Sequence, residues 1–126
     1  MPLTDVGLNL LADAIIGGSG FSKFNNTNAR IGVGDGNTAF NAAQTDLQGA
    51  SKARQGMEAT YPQRTNNDLT FRAVFGTGAA NFDWGEWGLF NAASSGQMLS
   101  RKVEDLGTKT GAVSRQITVT VTIDHS

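Results

Sequence analysis

The sequence of 126 residues contains no cysteine and a single histidine, His125, which is the second-last residue. The absence of cysteine excludes disulfide bonds, thiolate metal ligands and a cysteine nucleophile. A catalytic histidine must be held in a fixed geometry, which a chain end seldom provides. The sequence therefore predicts that the protein is not an enzyme and that it has neither a metal site nor a cofactor.

The sequence also has no large excess of either charge, because ten basic and eleven acidic residues give a net charge of −1. The strong positive field on which nonspecific nucleic-acid binding depends is therefore absent. No apolar run approaches the roughly 20 residues of a membrane-spanning helix. The first residues lack the basic region of a signal peptide. We expect a protein made in a cytoplasm, with no nucleic-acid or membrane partner.

Proline is scarce and glycine is abundant, with two prolines against 16 glycines. Glycine at this level without a fixed period indicates many turns and bulges. The length fits one domain over residues 1–126, with one hydrophobic core. Short strands joined by polar turns would produce such a composition.

An N-terminal helix is predicted within residues 1–18. Leu8, Leu11, Ala12 and Ile15 follow the helical spacing of one apolar face. Gly17 and Gly18 end the pattern, since glycine adopts the left-handed cap without steric cost. This apolar stripe is interpreted either as a core face or as a contact between subunits.

The rest of the chain is predicted to be mainly β. Residues 29–61 would hold a strand, a turn and a possible arm. Residues 44–64 are the candidate for this arm, which would lie on a neighbouring subunit. Residues 69–123 would form antiparallel strands, because apolar and polar residues alternate there with period two. The predicted fold is an antiparallel β-sandwich or sheet with one N-terminal α-helix. The five predicted strands are 29–34, 69–75, 82–90, 98–103 and 113–123.

Two segments resemble functional motifs, a phosphate-binding loop and a catalytic pair of carboxylates, but neither has the residues or spacing that its motif requires. The glycine-rich run at residues 32–36 has Asn37 where a dinucleotide-binding loop needs glycine, and no Gly-Lys-Ser/Thr follows it. Asp83 and Glu86 are close carboxylates, but their odd spacing would place them on opposite faces of a strand. A strand end with a turn is the simpler interpretation of the first, and neither segment predicts catalysis.

Residues 82–90 concentrate the aromatic side chains and include Trp84, Trp87 and Phe90. A core strand is the favoured interpretation, and a ligand-binding aromatic shelf is the alternative. Alternation places Phe82, Trp84, Glu86 and Phe90 on one face, with Trp87 and Leu89 on the other. A buried Glu86 would need a cationic partner, for which Arg72 and Arg101 are the candidates. We predict that Glu86 is paired and fixes the strand register.

The order of motifs resembles the N-terminal domain of phage tail-fibre and tail-collar fibre proteins, and a set of small phage structural proteins. Only Glu86-Trp87-Gly88-Leu89-Phe90 is distinctive within it. The other pieces are Leu3 to Leu8, Ile31 to Thr38, Gln44 to Leu47, Leu69 to Phe75 and Gly96 to Leu99.

The resemblance implies a non-enzymatic virion protein that attaches an appendage and associates with itself, a trimer being favoured, and with other proteins of the tail or capsid. The sequence ends after its last predicted strand, with neither shaft nor receptor-binding tip, so an adaptor at the tail or baseplate is expected. A capsid decoration protein that stabilises the head is the first alternative. A carbohydrate-binding module that uses Trp84 or Trp87 is the second. Leu8, Leu11, Ile15, Trp84, Glu86, Trp87 and Phe90 are the candidate structural and interface residues.

Overall fold

The structure, a computed structural model, describes residues 2–124. The expectation for His125 falls outside this range. The chain begins with one helix, α1 (Asp5–Ile15), and the Thr4 hydroxyl caps it by accepting a hydrogen bond from the Gly7 amide at 2.9 Å. The helix ends before Gly17, which has φ +74°. The predicted helix is therefore present.

Seven strands follow the helix and form two antiparallel sheets. The first sheet has the strand order β2-β1-β5-β6, and the second has the order β3-β4-β7. The strands are β1 (Arg30–Gly34), β2 (Lys52–Gly56), β3 (Gln63–Thr65), β4 (Asp68–Phe75), β5 (Asp83–Phe90), β6 (Met98–Thr108) and β7 (Arg115–Thr122).

The main core takes side chains from both sheets, which form a sandwich-like arrangement. Alternate residues of β4 and β7 point inward, as the period of two requires. The mainly β fold with one N-terminal helix, predicted from the sequence, is confirmed. The buried members of this core include Ile31 and Val33 of β1, Phe71 and Phe75 of β4, Trp84, Trp87 and Leu89 of β5, and Val119 and Val121 of β7.

The region predicted as a possible arm is instead part of the fold. Its residues 52–56 form β2, which pairs with β1 of the same chain. Residues 63–65, at the end of this region, form β3 and pair with β4. Neither strand has the apolar alternation by which sequence analysis finds strands, because β3 is exposed throughout and β2 is buried only in part.

The strand predicted at residues 98–103 extends further, to Thr108. Its distal half carries charged residues that face solvent, among them Lys102 and Asp105, and the apolar pattern therefore stops before the strand does. Backbone pairing with β5, from Asp83 opposite Thr108, maintains the strand there.

Helix α1 docks on β6 through its smallest residue. A Cβ atom on Gly7 would lie 2.4 Å from the Leu99 carbonyl oxygen, so only glycine permits this approach. Thr4 also fixes the helix start to β6, since its hydroxyl donates to the Met98 carbonyl at 2.5 Å. Leu10 is buried on the same face. The docking face is therefore the one with Thr4, Gly7 and Leu10, and the predicted stripe is turned away from it.

Candidate functional site

The candidate residues predicted from the sequence separate into two groups. Trp84, Glu86, Trp87 and Phe90 belong to β5 and are buried. The helical stripe of Leu8, Leu11 and Ile15 lies on α1, at the surface. The first group builds the interior, and the second is available for contact with another molecule.

Glu86 is fully buried and pairs with Arg101, which is fully buried too. The Arg101 Nε atom lies 2.8 Å from Glu86 Oε1. The sequence left Arg72 and Arg101 open as partners, and Arg101 takes this role. Arg72 instead donates to the Thr118 hydroxyl and lies over the Tyr61 ring. Burial of both charges is tolerated because each makes further hydrogen bonds.

The Glu86 carboxylate also accepts hydrogen bonds from three backbone amides of the long loop that joins β1 to β2. The Gly49 amide lies 2.7 Å from Oε2, the Gln48 amide 2.8 Å from Oε1, and the Gly36 amide 3.2 Å from Oε2. Converging amide groups of this kind form a cradle for an anion. Here the anion is supplied by the chain itself, so the cradle binds the loop to the sheet.

Arg101 completes the attachment of this loop. Its Nη1 atom donates to the side-chain oxygen of Gln44 at 3.0 Å, and its Nη2 atom donates to the Thr38 carbonyl at 2.9 Å. One ion pair on adjacent strands thus holds residues 36–49 at both ends. The pair therefore connects the glycine-rich turn and the Gln44 segment to the tryptophan-rich strand.

The two glycines of β1 leave room for side chains of β5. A Cβ atom on Gly34 would lie 2.5 Å from Glu86 Oε2, and one on Gly32 would lie 2.7 Å from the Phe90 ring. The glycine-rich run that superficially suggested a phosphate loop therefore accommodates a carboxylate and an aromatic ring of the same chain. It is the strand end and turn favoured from the sequence, and the close approach accounts for its glycines.

Phe90 fills a small second core on the opposite face of the first sheet, with Leu47 and Met98. The Arg54 guanidinium lies 3.6 Å above the centre of its ring, a cation–π contact. Arg54 also donates to the carbonyls of Ala92 and Ser95, both at 2.9 Å. The loop between β5 and β6 is therefore tied to β2.

The prediction that the Trp84 side chain points to the same side of the sheet as Glu86 and Phe90 is wrong. It belongs to the main core with Trp87 and Leu89 and does not share a face with Glu86 and Phe90. The pairing of β5 with β6 shifts register between Trp84 and Glu86, as a β-bulge does, and this breaks the simple alternation. Trp84 is 2% exposed and Trp87 is 9% exposed, so neither indole offers a face to a ligand.

The apolar side chains of the helical stripe, unlike the two tryptophans, are mostly exposed. Ile15 is 85% exposed and Leu8 is 51% exposed, and the adjacent Ile16 is 82% exposed. Leu11 is partly buried and lines an apolar groove of about 350 Å³ between α1 and the second sheet. Exposed apolar side chains beside an apolar groove make this surface the candidate site for contact with another molecule.

Residues 2–124 contain no group of three or more His, Cys, Asp or Glu side chains placed to hold a metal ion. In the same range, no helix is long and apolar enough to cross a membrane.

The ion pairs of Asp46, on the long loop, contribute a stabilisation that depends on pH. Burial alone would raise its pKa, but hydrogen bonds from Lys52 and the Leu47 amide, and the charges of Lys52 and Arg54, hold the pKa below its ordinary value. Lys52 Nζ lies 3.1 Å from Oδ2, and Arg54 Nη2 lies 3.5 Å from Oδ1. Because the folded-state pKa is depressed, the stabilisation is present above the unfolded-state pKa and is lost as pH falls through the folded-state pKa.

We expect Asp46→Asn to lower the free energy of unfolding at neutral pH by less than about 1 kcal/mol, because the side chain of Asp46 is 44% exposed and water screens the pair. The difference from wild type should vanish in acid, where Asp46 is protonated in both folded and unfolded chains. Urea unfolding at a series of pH values measures it, with Glu58→Gln as the control. A difference that stays constant into acid would show that the charge of Asp46 is not its cause.

Comparison with known proteins adds no homologue to these observations. No protein-family model matches the chain. No curated protein matches its sequence. Evidence about function is therefore provided by the residues and geometry of the chain itself.

Proposed function

We propose that the chain is a non-enzymatic structural protein of a tailed-bacteriophage virion, an adaptor at the tail or baseplate that assembles with copies of itself and with other virion proteins. The observation that carries the proposal is the exposed apolar stripe of α1 beside an apolar groove. The order of sequence motifs, which resembles that of tail-fibre attachment domains, supports the phage setting.

The exposed stripe contrasts with the interior, where the buried polar groups are paired. Every buried side-chain nitrogen or oxygen in the part of the chain that the structure describes has a hydrogen-bond partner. The most distinctive motif, Glu86 to Phe90, is accounted for by packing and by the attachment of the long loop. The α1 surface carries the most exposed large apolar side chains, Ile15 and Ile16, which folding of a single copy leaves unexplained and contact with another chain would explain.

The ion pair of Glu86 and Arg101 suits an attachment role. A docking module binds more tightly when its surface is already ordered, because less conformational freedom is lost on binding. The pair orders residues 36–49 without a disulfide or metal, and the Thr4 cap anchors α1 to β6. The proposed mechanism is passive: rigid copies dock, and symmetry multiplies weak contacts into avidity.

Capsid decoration is the first alternative, since a decoration protein would use the same type of surface to bridge capsomers. A carbohydrate-binding module is the second. It was based on a stacking platform at Trp84 or Trp87, and both indoles are buried. Asp83 and Thr108 line a surface pocket together with Trp84, but neither of them supplies an aromatic face.

The location of the protein in purified phage particles tests the proposal. Quantitative mass spectrometry should find it in gradient-purified virions in a small copy number set by the tail symmetry, and immunogold labelling should mark the tail or baseplate. A copy number set by the capsid lattice, with label over the head, would support decoration and contradict the adaptor role. Absence of the protein from purified virions would overturn the proposal for both locations.

A further inference from the structure

We propose that strand β7 pairs with β7 of a second copy of this chain across a two-fold axis, which would join the three-stranded second sheets of both copies into one sheet of six strands. The inference rests on the proposed function and deepens it, since it names the surface through which copies of the chain assemble. Its test needs no virion. The observation behind it is the open outer edge of β7.

Strand β7 differs from the other three edge strands of the two sheets. Natural proteins protect sheet edges with short strands, charged residues, prolines or bulges, because an open edge pairs readily with another chain. Strand β3 has only three residues, and β2 carries Lys52 and Arg54 among its five. In β6, residues 104–106 bulge opposite Gly85, and Leu3 pairs with the first half of the strand. Each of these three edges is thus protected.

The edge of β7 has none of these protections. Its eight residues pair with β4 without a register shift. Residues 116–123 include no charge, proline or glycine, and residues 117–123 are all β-branched. A regular, uncharged strand of this composition associates with another strand when its edge stays open. Folding of one copy leaves the edge open, and a second strand would close it.

The register shows which backbone groups of β7 point to the open edge. The Ile123 amide donates to the Asn67 carbonyl at 2.9 Å, one step beyond the last residue pair of β7 and β4. In an antiparallel ladder every second residue directs its N–H and C=O groups to the same neighbour. The odd-numbered residues of β7 therefore bond to β4, and the even-numbered residues direct their groups outward. No backbone group within residues 2–124 pairs there with these four residues, Gln116, Thr118, Thr120 and Thr122.

The edge of β7 is complementary to itself. With the two-fold axis at Val119, Thr118 lies opposite Thr120 of the second copy, and Gln116 lies opposite its Thr122. All four outward-facing residues of each copy then have partners, whereas a shift of two residues would set one of them against a residue outside the strand. A shift of one residue would turn the core-facing side chains to solvent. Threonine pairs across strands are favourable, and no like charges meet in this register.

An apolar groove beside the open edge fits a side chain of the second copy. The groove, of about 330 Å³, is lined by Trp84, Leu106 and Ile117, which belong to the main core or pack against it. Ile123 is 47% exposed and lies on the same face of the strand as Ile117. Antiparallel pairing would place Ile123 of the second copy opposite Arg115, at the end of β7 where the groove lies. Each copy would thus cover the exposed isoleucine of the other, which identifies a second copy as the occupant.

The contact forms a closed dimer and not a ring. In an isologous contact both subunits use the same surface, so neither β7 edge stays open for a third copy. The trimer that the sequence resemblance implies would use a different surface and leave β7 open. Protection of the outward-facing amides of β7 therefore distinguishes the two assemblies.

Hydrogen exchange of the full chain, measured by NMR at several concentrations, tests the inference. The four outward-facing amides should exchange freely in dilute solution and become protected about tenfold or more as the dimer forms. The amides of the odd-numbered residues bond to β4 and should be protected at every concentration, so they are the internal control. Free exchange of the four amides in an associated chain would overturn the inference. A chain that sedimentation velocity shows to be monomeric at every concentration would overturn it too.

Substitutions at the edge test the register. Thr120→Pro removes an N–H group that points away from β4, so it should weaken dimerisation about tenfold or more without loss of a bond within the fold. Thr118→Lys/Thr120→Lys sets lysines opposite each other across the axis and should weaken dimerisation likewise. Thr118→Lys/Thr120→Glu sets opposite charges against each other and should dimerise as wild type does. Thr65→Lys is the matched control, because it changes an exposed threonine at the other edge of the same sheet.

Circular dichroism should show each variant folded, and the two charge variants decide the register if Thr120→Pro does not fold. Equal dimerisation of the two charge variants would overturn the inference. A chain that is present in purified virions but monomeric in solution would overturn it and leave the proposed function standing. A chain that dimerises through β7 but is absent from virions would overturn the proposed function alone.

Discussion

Glu86→Ala is expected to lower the free energy of unfolding by about 3–5 kcal/mol or more. The substitution leaves Arg101 as a buried cation without its anion. It also removes the acceptor from the amides of Gly36, Gln48 and Gly49. A single domain is stable by only about 5–15 kcal/mol, so a large share of the molecules should be unfolded or have a detached loop at room temperature.

Two further variants separate the charge of Glu86 from its hydrogen bonds. Glu86→Gln keeps one acceptor oxygen but places an NH₂ group against a donor, and it should cost less than Glu86→Ala. Arg101→Met removes the cation while the three amides continue to hold the carboxylate, so its cost should also be smaller. Equal losses in all three variants would show that the ion pair alone matters and that the amide cradle contributes nothing.

Chemical denaturation monitored by tryptophan fluorescence measures these differences, and Glu58→Ala provides the control. Glu58 is exposed and contributes backbone hydrogen bonds only, so its change should stay within about 0.5 kcal/mol. A Glu86→Ala chain as stable as Glu58→Ala would contradict the structural role of the pair. Its hydrogen exchange should also rise first in residues 36–49, where the loop loses its attachment.

Sequence analysis predicted the regular parts of this fold because their burial is periodic. The strand at β4 alternates between buried and half-buried residues, and β7 alternates between exposed residues and Val119 and Val121. One face in the core and one in solvent produce the pattern that the sequence shows. The glycine-terminated helix was equally clear, and the structure shows Thr4 as its cap.

The elements that were missed are stabilised by contacts distant in sequence. Strand β2 is recognised by its pairing with β1, and its own residues 52–56 give no apolar alternation. The long loop is ordered by Glu86 and Arg101, which lie about 40 to 60 residues further along the chain. The residue pattern of a short segment does not show which distant residues will bind it. The glycines at 32 and 34 were the available signal, since a strand that lacks two side chains leaves room for those of a neighbouring strand.

The spacing of the apolar residues alone could not decide whether the helical stripe packs against the core or faces solvent. Leu8, Leu11 and Ile15 form a regular apolar face, and so do the docked residues Gly7 and Leu10 with the Thr4 cap. Close approach of the backbones decided the outcome, because Gly7 allows α1 to lie against Leu99. A bulky residue elsewhere on the helix could not have replaced this contact, so the larger side chains of the stripe were left outside.

Trp84→Ala is the second substitution with a large expected effect, a loss of about 3–5 kcal/mol in the free energy of unfolding. The Trp84 ring packs edge to face against Phe75, with ring centres 5.1 Å apart, and so joins the first sheet to the second. Its indole N–H donates to the Ala80 carbonyl at 2.9 Å, and the Arg115 guanidinium lies 5.1 Å from its ring centre. Removal of the side chain would leave a cavity between the sheets, and the Ala80 carbonyl would keep only the hydrogen bond from the Phe82 amide.

Trp84→Phe should cost less, because phenylalanine keeps part of the aromatic packing against Phe75 and loses only the hydrogen bond and some volume. Ile16→Ala is the control, since that side chain is 82% exposed and its truncation should leave stability nearly unchanged. Thermal unfolding followed by circular dichroism measures all three. If Trp84→Ala were as stable as Ile16→Ala, the indole would not lie in the interior, and the ligand-binding shelf would again be a reasonable interpretation of residues 82–90.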